Sequence, residues 1–294
     1  MDERRALRML HEELPGAGDD AAVVGEQVLT TDMLHETTDF PAGTTRYTAG
    51  WRAVGASLSD VAAMGAEATA AVAVYAAPAF DEADLLAFVR GASDVCERVE
   101  AEYVGGDLDG HREFTVATTA LGRTDAPVYR TGASPGEAVC VTGTLGRSAA
   151  AVRAFDRGAT DLGNNLFQFS PRVAAGRSLR GCATAMMDSS DGLARSLHQL
   201  AEASDCGFAV EWDRLPVDPS VESAAEDEAD LRAMAAHFGE DFELVFTVPE
   251  DALPEIEDDV PAPVSVIGEV TDAAVLADGE PLPDRGYTHA ARNE

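Results

Sequence analysis

The stretch Leu29-Thr30-Thr31-Asp32-Met33-Leu34 decides how the rest of the chain is read. A short apolar run delivers two hydroxyls and a carboxylate in succession. Acid-bearing corners of the same kind recur: Gly18-Asp19-Asp20 just upstream, then Ser57-Leu58-Ser59-Asp60, Gly105-Gly106-Asp107 and Asp188-Ser189-Ser190-Asp191-Gly192. Each places acid beside glycine or hydroxyl, near a predicted strand end or helix start, and no basic residue interrupts any of them.

A hard cation such as Mg²⁺ takes oxygen ligands and keeps water and substrate phosphates in its shell. The Thr-Thr-Asp corner supplies hydroxyl and carboxylate oxygens within one turn. Asp20, Asp60 and Asp107, in separate segments, close around ions only if the fold brings them together. Packed without metal they repel one another. Each motif alone also has a plainer reading. Thr31 and Asp32 suit a strand end, Asp60 an exposed helix acid, and Gly105-Gly106-Asp107 an ordinary turn.

Composition limits the partners. The chain has 294 residues, enough for one large or two modest domains. It carries 53 acidic and 21 basic residues, a formal charge of −32. There is no lysine, so every strong base is arginine. A field this negative repels nucleic acid and suits a solvated surface in a salt-rich cytoplasm. An isolated acid is therefore weak support for a metal site, and only acids beside glycine or at strand ends count. Cys96, Cys140, Cys182 and Cys206 are widely spaced and form no CxxC pair, as reduced thiols of a cytoplasmic protein do. Met1-Asp2-Glu3-Arg4-Arg5 leads into an amphipathic segment and not a signal peptide. No apolar run approaches membrane-spanning length.

Periodicity predicts a helix over residues 3–14 and strands over Ala22–Val24 and Val28–Thr31, the latter ending at Asp32. A helix over 45–64 follows, with Asp60 near its C-terminal end. An anion is electrostatically disfavoured there, so a compensating cation is expected. A strand over 68–77, a helix over 81–100, a brief strand at Tyr103-Val104 and a strand over 114–121 complete an α+β half. The turn-rich run 129–136 is the expected boundary between domains 1–128 and 129–294. Beyond it, strands are predicted at 139–143, 183–187, 208–212, 242–248 and 264–267. Helices are predicted at 146–155, 171–179, 190–203 and 220–237, giving a layered α/β half.

The Asp188–Gly192 motif follows an apolar run and precedes a helix, so Ser190 or Asp191 suits an N-cap, and the helix N-terminus suits phosphate oxygens. An EF-hand lacks its acid pattern here, and a P-loop or protein kinase lacks its lysine. Phosphate charge must then be met by metal, backbone amides and arginine. Arg130 and Arg147 are the candidates, and either serves equally as a surface ion pair. No GxSxG elbow or HExxH spacing points to a hydrolase.

Taken in order, Gly18-Asp19-Asp20, Thr30-Thr31-Asp32, Ser59-Asp60, Gly105-Gly106-Asp107, Asp188-Ser189-Ser190-Asp191-Gly192-Leu193 and Gly239-Glu240-Asp241-Phe242-Glu243-Leu244 resemble thiamine-monophosphate kinases. These belong to the aminoimidazole ribonucleotide synthetase-like superfamily. The resemblance covers nearly the whole chain and ends at Ile267-Gly268-Glu269-Val270. It implies an α+β / α/β two-domain fold whose N-terminal sheet domain dimerises. It also implies transfer of the ATP γ-phosphoryl group to thiamine monophosphate, with several Mg²⁺ ions. By family pattern Asp20, Thr30, Thr31, Asp32, Asp60, Asp107, Asp188 and Asp191 hold magnesium. Gly106, Asp107, Arg130 and Ser190 contact ATP, while Glu240 and Tyr287 face the thiamine end. Many members carry a histidine where this chain reads Thr37-Thr38-Asp39-Phe40. Asp39 lies at the substrate but offers no imidazole, and acts there through a metal or water. The alternatives are a cyclo-ligase of the same superfamily and a non-catalytic nucleotide- or magnesium-binding protein.

Overall fold

The computed structural model describes residues 9–10, 13–14 and 16–287. The helix expected over 3–14 lies mostly outside the described residues. The chain forms two sheets. The first has five strands in the order β1-β2-β5-β3-β4: β1 (Ala22–Val24), β2 (Gln27–His35), β3 (Glu67–Ala77), β4 (Glu102–Gly110) and β5 (Thr115–Arg123). Only β3 and β4 pair in parallel, and the helix Glu82–Arg98 crosses between them. The second sheet has seven strands, ordered β12-β11-β8-β10-β6-β9-β7. They are β6 (Ala138–Thr142), β7 (Ala185–Asp188), β8 (Gly207–Val210), β9 (Leu244–Val248), β10 (Val264–Thr271), β11 (Val275–Ala277) and β12 (Glu280–Pro281). Strands β6, β7 and β9 are buried throughout, which is why they read as mostly apolar runs and not as an in–out alternation.

The long helix Arg46–Ala63 is the spine of the molecule. Thr45 caps it by accepting from the Thr48 amide. One side packs on the first sheet, another on the helix Glu82–Arg98, and a third on Val173–Leu179 and β7 from the second half. A helix with three such neighbours is apolar almost all round. The approach to Glu82–Arg98 is close enough that backbones touch. A Cβ on Gly91 would lie 1.9 Å from the Tyr47 carbonyl oxygen, and one on Gly50 2.2 Å from that of Phe88.

Several elements depart from the sequence-based boundaries. β2 does not end at Asp32. It continues to His35 because it pairs with β5 along its whole length, from Gln27↔Arg123 to His35↔Thr115. Thr30 and Leu34 point inward and Thr31 and Met33 outward, the alternation of a strand with one covered face. Gly105-Gly106-Asp107 is not a turn but the middle of β4, with a register shift against β3 between Ala71 and Val72. Gly106 is required there, since a Cβ would meet the Ala73 carbonyl oxygen at 1.7 Å.

The helix expected from Ser190 begins at Leu193. Its N-cap position is Gly192 with φ 102°, so neither Ser190 nor Asp191 caps it. The stretch 220–237 splits into Pro219–Ala224 and Glu228–Ala236, capped by Asp218 and Asp227. A helix over Thr160–Phe167 was not expected from the sequence. β9 starts at Leu244, because Glu240 and Phe242 adopt left-handed φ values of 60° and 54°. Among the described residues no helix is long and apolar enough to cross a membrane.

Gly91→Ala is expected to fold less stably by about 1–3 kcal/mol, the usual cost of forcing an extra methyl into a filled contact. Chemical denaturation checks this, and unchanged stability would show that the two helices separate easily.

Candidate functional site

Three carboxylates from distant segments meet where the two sheets adjoin. Asp20 ends the loop before β1, Asp60 lies in the last turn of the spine helix, and Asp188 ends β7. Each offers an oxygen within 4.8 Å of the others. Hydroxyls and a guanidinium hold them. Thr30 Oγ1 donates to Asp60 Oδ2 at 2.5 Å, and Ser59 Oγ donates to Asp188 Oδ2 at 2.7 Å. Arg130 forks onto Asp20, with Nη2–Oδ1 at 2.9 Å and Nε–Oδ2 at 3.2 Å. Its backbone amide donates to Asp19 Oδ1.

The electrostatics match the crowding. Burial first, then the charges of Asp32, Asp188 and Asp20, raise the Asp60 pKa well above the carboxylate range. Burial and Asp20 push Asp188 up to about 7, against the hydrogen bond from Ser59 and the charge of Arg130. Burial works against the Arg130 cation, but Asp20 more than offsets it and raises the Arg130 pKa. A site in which burial and neighbouring acids oppose carboxylate charge fits a divalent cation bound through oxygen.

The remaining sequence-predicted residues divide. Asp32 shares the inward face of β2 with Thr30 and adds its charge to the cluster. Thr31 lies on the opposite face, where its hydroxyl donates to the Thr118 carbonyl at 2.8 Å. Asp107 is exposed on β4, paired in register with Val74 of β3, and its Oδ1 accepts from the Leu108 amide. The structure therefore does not bring Thr31 or Asp107 to the three-acid cluster, and Gly106 lies beside Asp107 on β4. Ser190 and Asp191 lie in the loop after Asp188, where the Ser190 amide donates to Asp188 Oδ1. Arg147 is absent from the cluster. It faces Asp218 at 3.8 Å and donates to the Asn165 carbonyl. The N-terminus of its helix is filled by Asp241, which accepts from the Gly146 and Ser148 amides.

A cavity of about 650 Å³ brings Asp39, Glu240 and Tyr287 together with Glu36, Asp156, Phe40, Phe167 and Phe238. No arginine lines it among the described residues. Asp39 is buried and engaged at both oxygens. Oδ2 accepts from the His35 amide and the Thr38 hydroxyl, and Oδ1 from Tyr287 Oη at 3.1 Å. The cavity and the acid cluster share a wall, since the Glu240 amide donates to the Ser190 carbonyl and the Tyr287 amide to that of Asp191.

Sequence reading missed Arg52. It is fully buried in the spine helix and donates to Glu240 Oε2 at 2.8 Å. A lone arginine within an apolar helical run was the available signal.

The two-layer architecture and its acid cluster define a protein related to AIR synthase. Residues 18–124 match the family described as AIR synthase related protein, N-terminal domain, and residues 134–277 match its C-terminal domain. The thiamine-monophosphate kinase of Halobacterium salinarum is 62% identical over 98% of this chain and 100% of its own length. That of Methanospirillum hungatei is 39% identical over 98% and 99%. The solved structure of AaThiL complexed with AMPPCP and TMP superposes with a TM-score of 0.89 at 26% identity, covering 98% of this chain and 97% of that one. The chain belongs to the thiamine-monophosphate kinase family.

The raised carboxylates fix the sign of a pH effect. A group whose folded pKa exceeds its unfolded value stays protonated longer when folded. Metal-free stability therefore falls as pH rises from the ordinary carboxylate range toward about 7, the value for Asp188. Asp60→Asn removes one buried charge. In chelator at pH 8 it is expected to melt a few degrees above the parent, and to lose much of the stabilisation that Mg²⁺ gives the parent. A lower melting temperature in chelator would show that the acids do not strain the fold.

Proposed function

We propose that this chain transfers the γ-phosphoryl group of ATP directly to thiamine monophosphate, giving thiamine diphosphate. One observation carries the reading: a cavity lined by acids and aromatic rings, and by no arginine among the described residues, abuts a cluster of three carboxylates. The cavity suits the cationic thiazolium and the aminopyrimidine ring, through Glu240, Tyr287 and the negative field of Asp39. The phosphate end then points toward Asp20, Asp60 and Asp188. Those three acids, with Asp32 beside them, would hold Mg²⁺, which neutralises the repulsion between donor and acceptor phosphates.

Phosphoryl transfer needs alignment and charge neutralisation more than covalent help. The acceptor phosphate oxygen is already ionised near neutral pH, so no protein base has to deprotonate it. To Arg130, anchored on Asp20, and to the Ser190 loop we assign contacts with the nucleotide phosphates. We assign Thr31, Gly106, Asp107 and Asp191 to nucleotide and further metal contacts by family pattern. The reaction belongs in the cytoplasm, a reading that four free thiols support.

Thr31 and Asp107 lie on the outward face of the first sheet. Leu29, Met33 and Val74 share that face and are 44%, 56% and 39% exposed. An apolar strip of this kind marks a protein interface, and we assign it to homodimerisation.

With ATP, Mg²⁺ and thiamine monophosphate in molar salt, the purified protein is expected to form thiamine diphosphate. Turnover of formylglycinamidine ribonucleotide instead would make it the cyclo-ligase. Covalent trapping of radiolabelled phosphate would rule out direct transfer. Asp32→Asn is expected to fold normally and lose about a hundredfold or more in kcat, the scale of removing preorganised transition-state charge stabilisation. Equal activity would remove Asp32 from the phosphoryl path. Met33→Glu is expected to shift the sedimentation coefficient from dimer to monomer, and an unchanged coefficient would place the interface elsewhere.

A further inference from the structure

We propose that Arg52 is a positioning residue for Glu240, and that the spine helix sets the spacing between the thiamine end and the phosphoryl-transfer end of the site. This rests on the assignment of Glu240 to the thiamine end.

The Arg52 guanidinium is wholly inside the protein and reaches across from the first half of the chain to the second. Nη1 donates to the Phe167 carbonyl at 2.8 Å. Nη2 donates to Glu240 Oε2 at 2.8 Å, to the Glu240 carbonyl at 3.0 Å and to Ser148 Oγ at 3.2 Å. The plane lies over the Phe167 ring, with Cζ 3.5 Å from the ring centroid. Nε is buried with no hydrogen-bond partner among the described residues. A cation taken so far from water is costly unless it is paired, and its one ion-pair partner among the described residues is Glu240, which lines the cavity.

Glu240 needs such a restraint. Gly239, Glu240 and Phe242 all have left-handed φ, of 85°, 60° and 54°. A non-glycine residue stays in that region only where its surroundings over-determine it. Arg52 grips both the backbone carbonyl and the carboxylate of Glu240, and Ser148 Oγ donates to the same carbonyl at 2.6 Å. The Glu240 amide is fixed from the other side by the Ser190 carbonyl at 2.6 Å. The carboxylate is thus aimed before any ligand arrives, which lowers the cost of binding.

The same helix holds the other end of the site. Asp60 lies eight residues after Arg52, about 12 Å along the helix at 1.5 Å per residue. Ser59 beside it ties Asp188. One rigid rod therefore grips the Glu240 loop at one station and the carboxylate cluster at another. A substrate must place a cationic ring and a phosphate at a matching separation. Thiamine monophosphate has both groups, and a cationic ring without phosphate gains from only one station.

Arg52→Lys keeps the cation but has one nitrogen where Arg52 uses two, so it cannot hold the Phe167 carbonyl and the Glu240 loop at once, and it loses the planar stack on Phe167. Its KM for thiamine monophosphate is expected to rise about tenfold, the scale of one charged hydrogen bond lost, with KM for ATP unchanged. In a Glu240→Ala background the same change is expected to add nothing further to KM. Melting temperature is measured in parallel. Arg52→Lys that melts lower yet keeps its KM would make Arg52 a structural staple and overturn the proposal. So would an effect equally large with and without Glu240. Glu240→Ala with unchanged KM for thiamine monophosphate would overturn the placement of the substrate itself, a result distinct from failure at Arg52. If Arg52→Lys does not fold, Ser148→Ala loosens the same Glu240 carbonyl. It is expected to raise KM for thiamine monophosphate alone, and an unchanged KM there overturns the proposal as well.

Discussion

The rest of the structure depends on the mutual repulsion of Asp20, Asp60 and Asp188, held with oxygens within 4.8 Å of one another. No chain gathers three carboxylates in a half-dry place without a return, because desolvation and like charge both oppose their ionised forms. The fold restrains each acid separately: Arg130 on Asp20, Thr30 on Asp60 and Ser59 on Asp188. Two of those restraints, Thr30 and Ser59, come from acid-bearing motifs of the sequence, and each holds an acid of a different motif. The third, Arg130, comes from the segment joining the two sheets, so the join between sheets is itself part of the site.

The spine helix makes this arrangement rigid. It touches the first sheet, the neighbouring helix and the second half of the chain, and it carries both Asp60 of the acid cluster and Arg52, the partner of Glu240. Arg52 is the clearer case of a side chain whose meaning is tertiary. Within the helix it is one polar residue in an apolar run. In the fold it is the cation that faces Glu240 across the join, stacked on Phe167. The Glu240 turn, with its left-handed residues, persists because it is gripped from both sides.

Asp39 shows how a substituted position is absorbed. Sequence reading placed it at the substrate acting through metal or water. In the fold its two oxygens are taken by the His35 amide, the Thr38 hydroxyl and Tyr287 Oη. It contributes a fixed negative field and a hold on the ring of Tyr287. The segment leading to Tyr287 is fastened in turn by His198 Nε2 on the Leu282 carbonyl and by the Arg195–Asp284 pair at 2.6 Å.

Most element types and the order of the motifs were legible in the chain, because periodicity, glycine placement and caps act over a few residues. The lack of lysine likewise left metal, arginine and backbone amides as the groups that could meet phosphate charge. Boundaries failed where pairing or distant contacts ruled. β2 runs past Asp32 because β5 pairs with it throughout, and Gly105-Gly106-Asp107 is strand because β3 lies alongside. Which acids converge was decided only by tertiary structure. Asp20, Asp60 and Asp188 come from segments far apart in sequence, and strand pairing and helix packing bring them together. The same pairing turns Thr31 and Asp107 to the other face, since a strand alternates its side chains and one residue separates Thr30 from the opposite side.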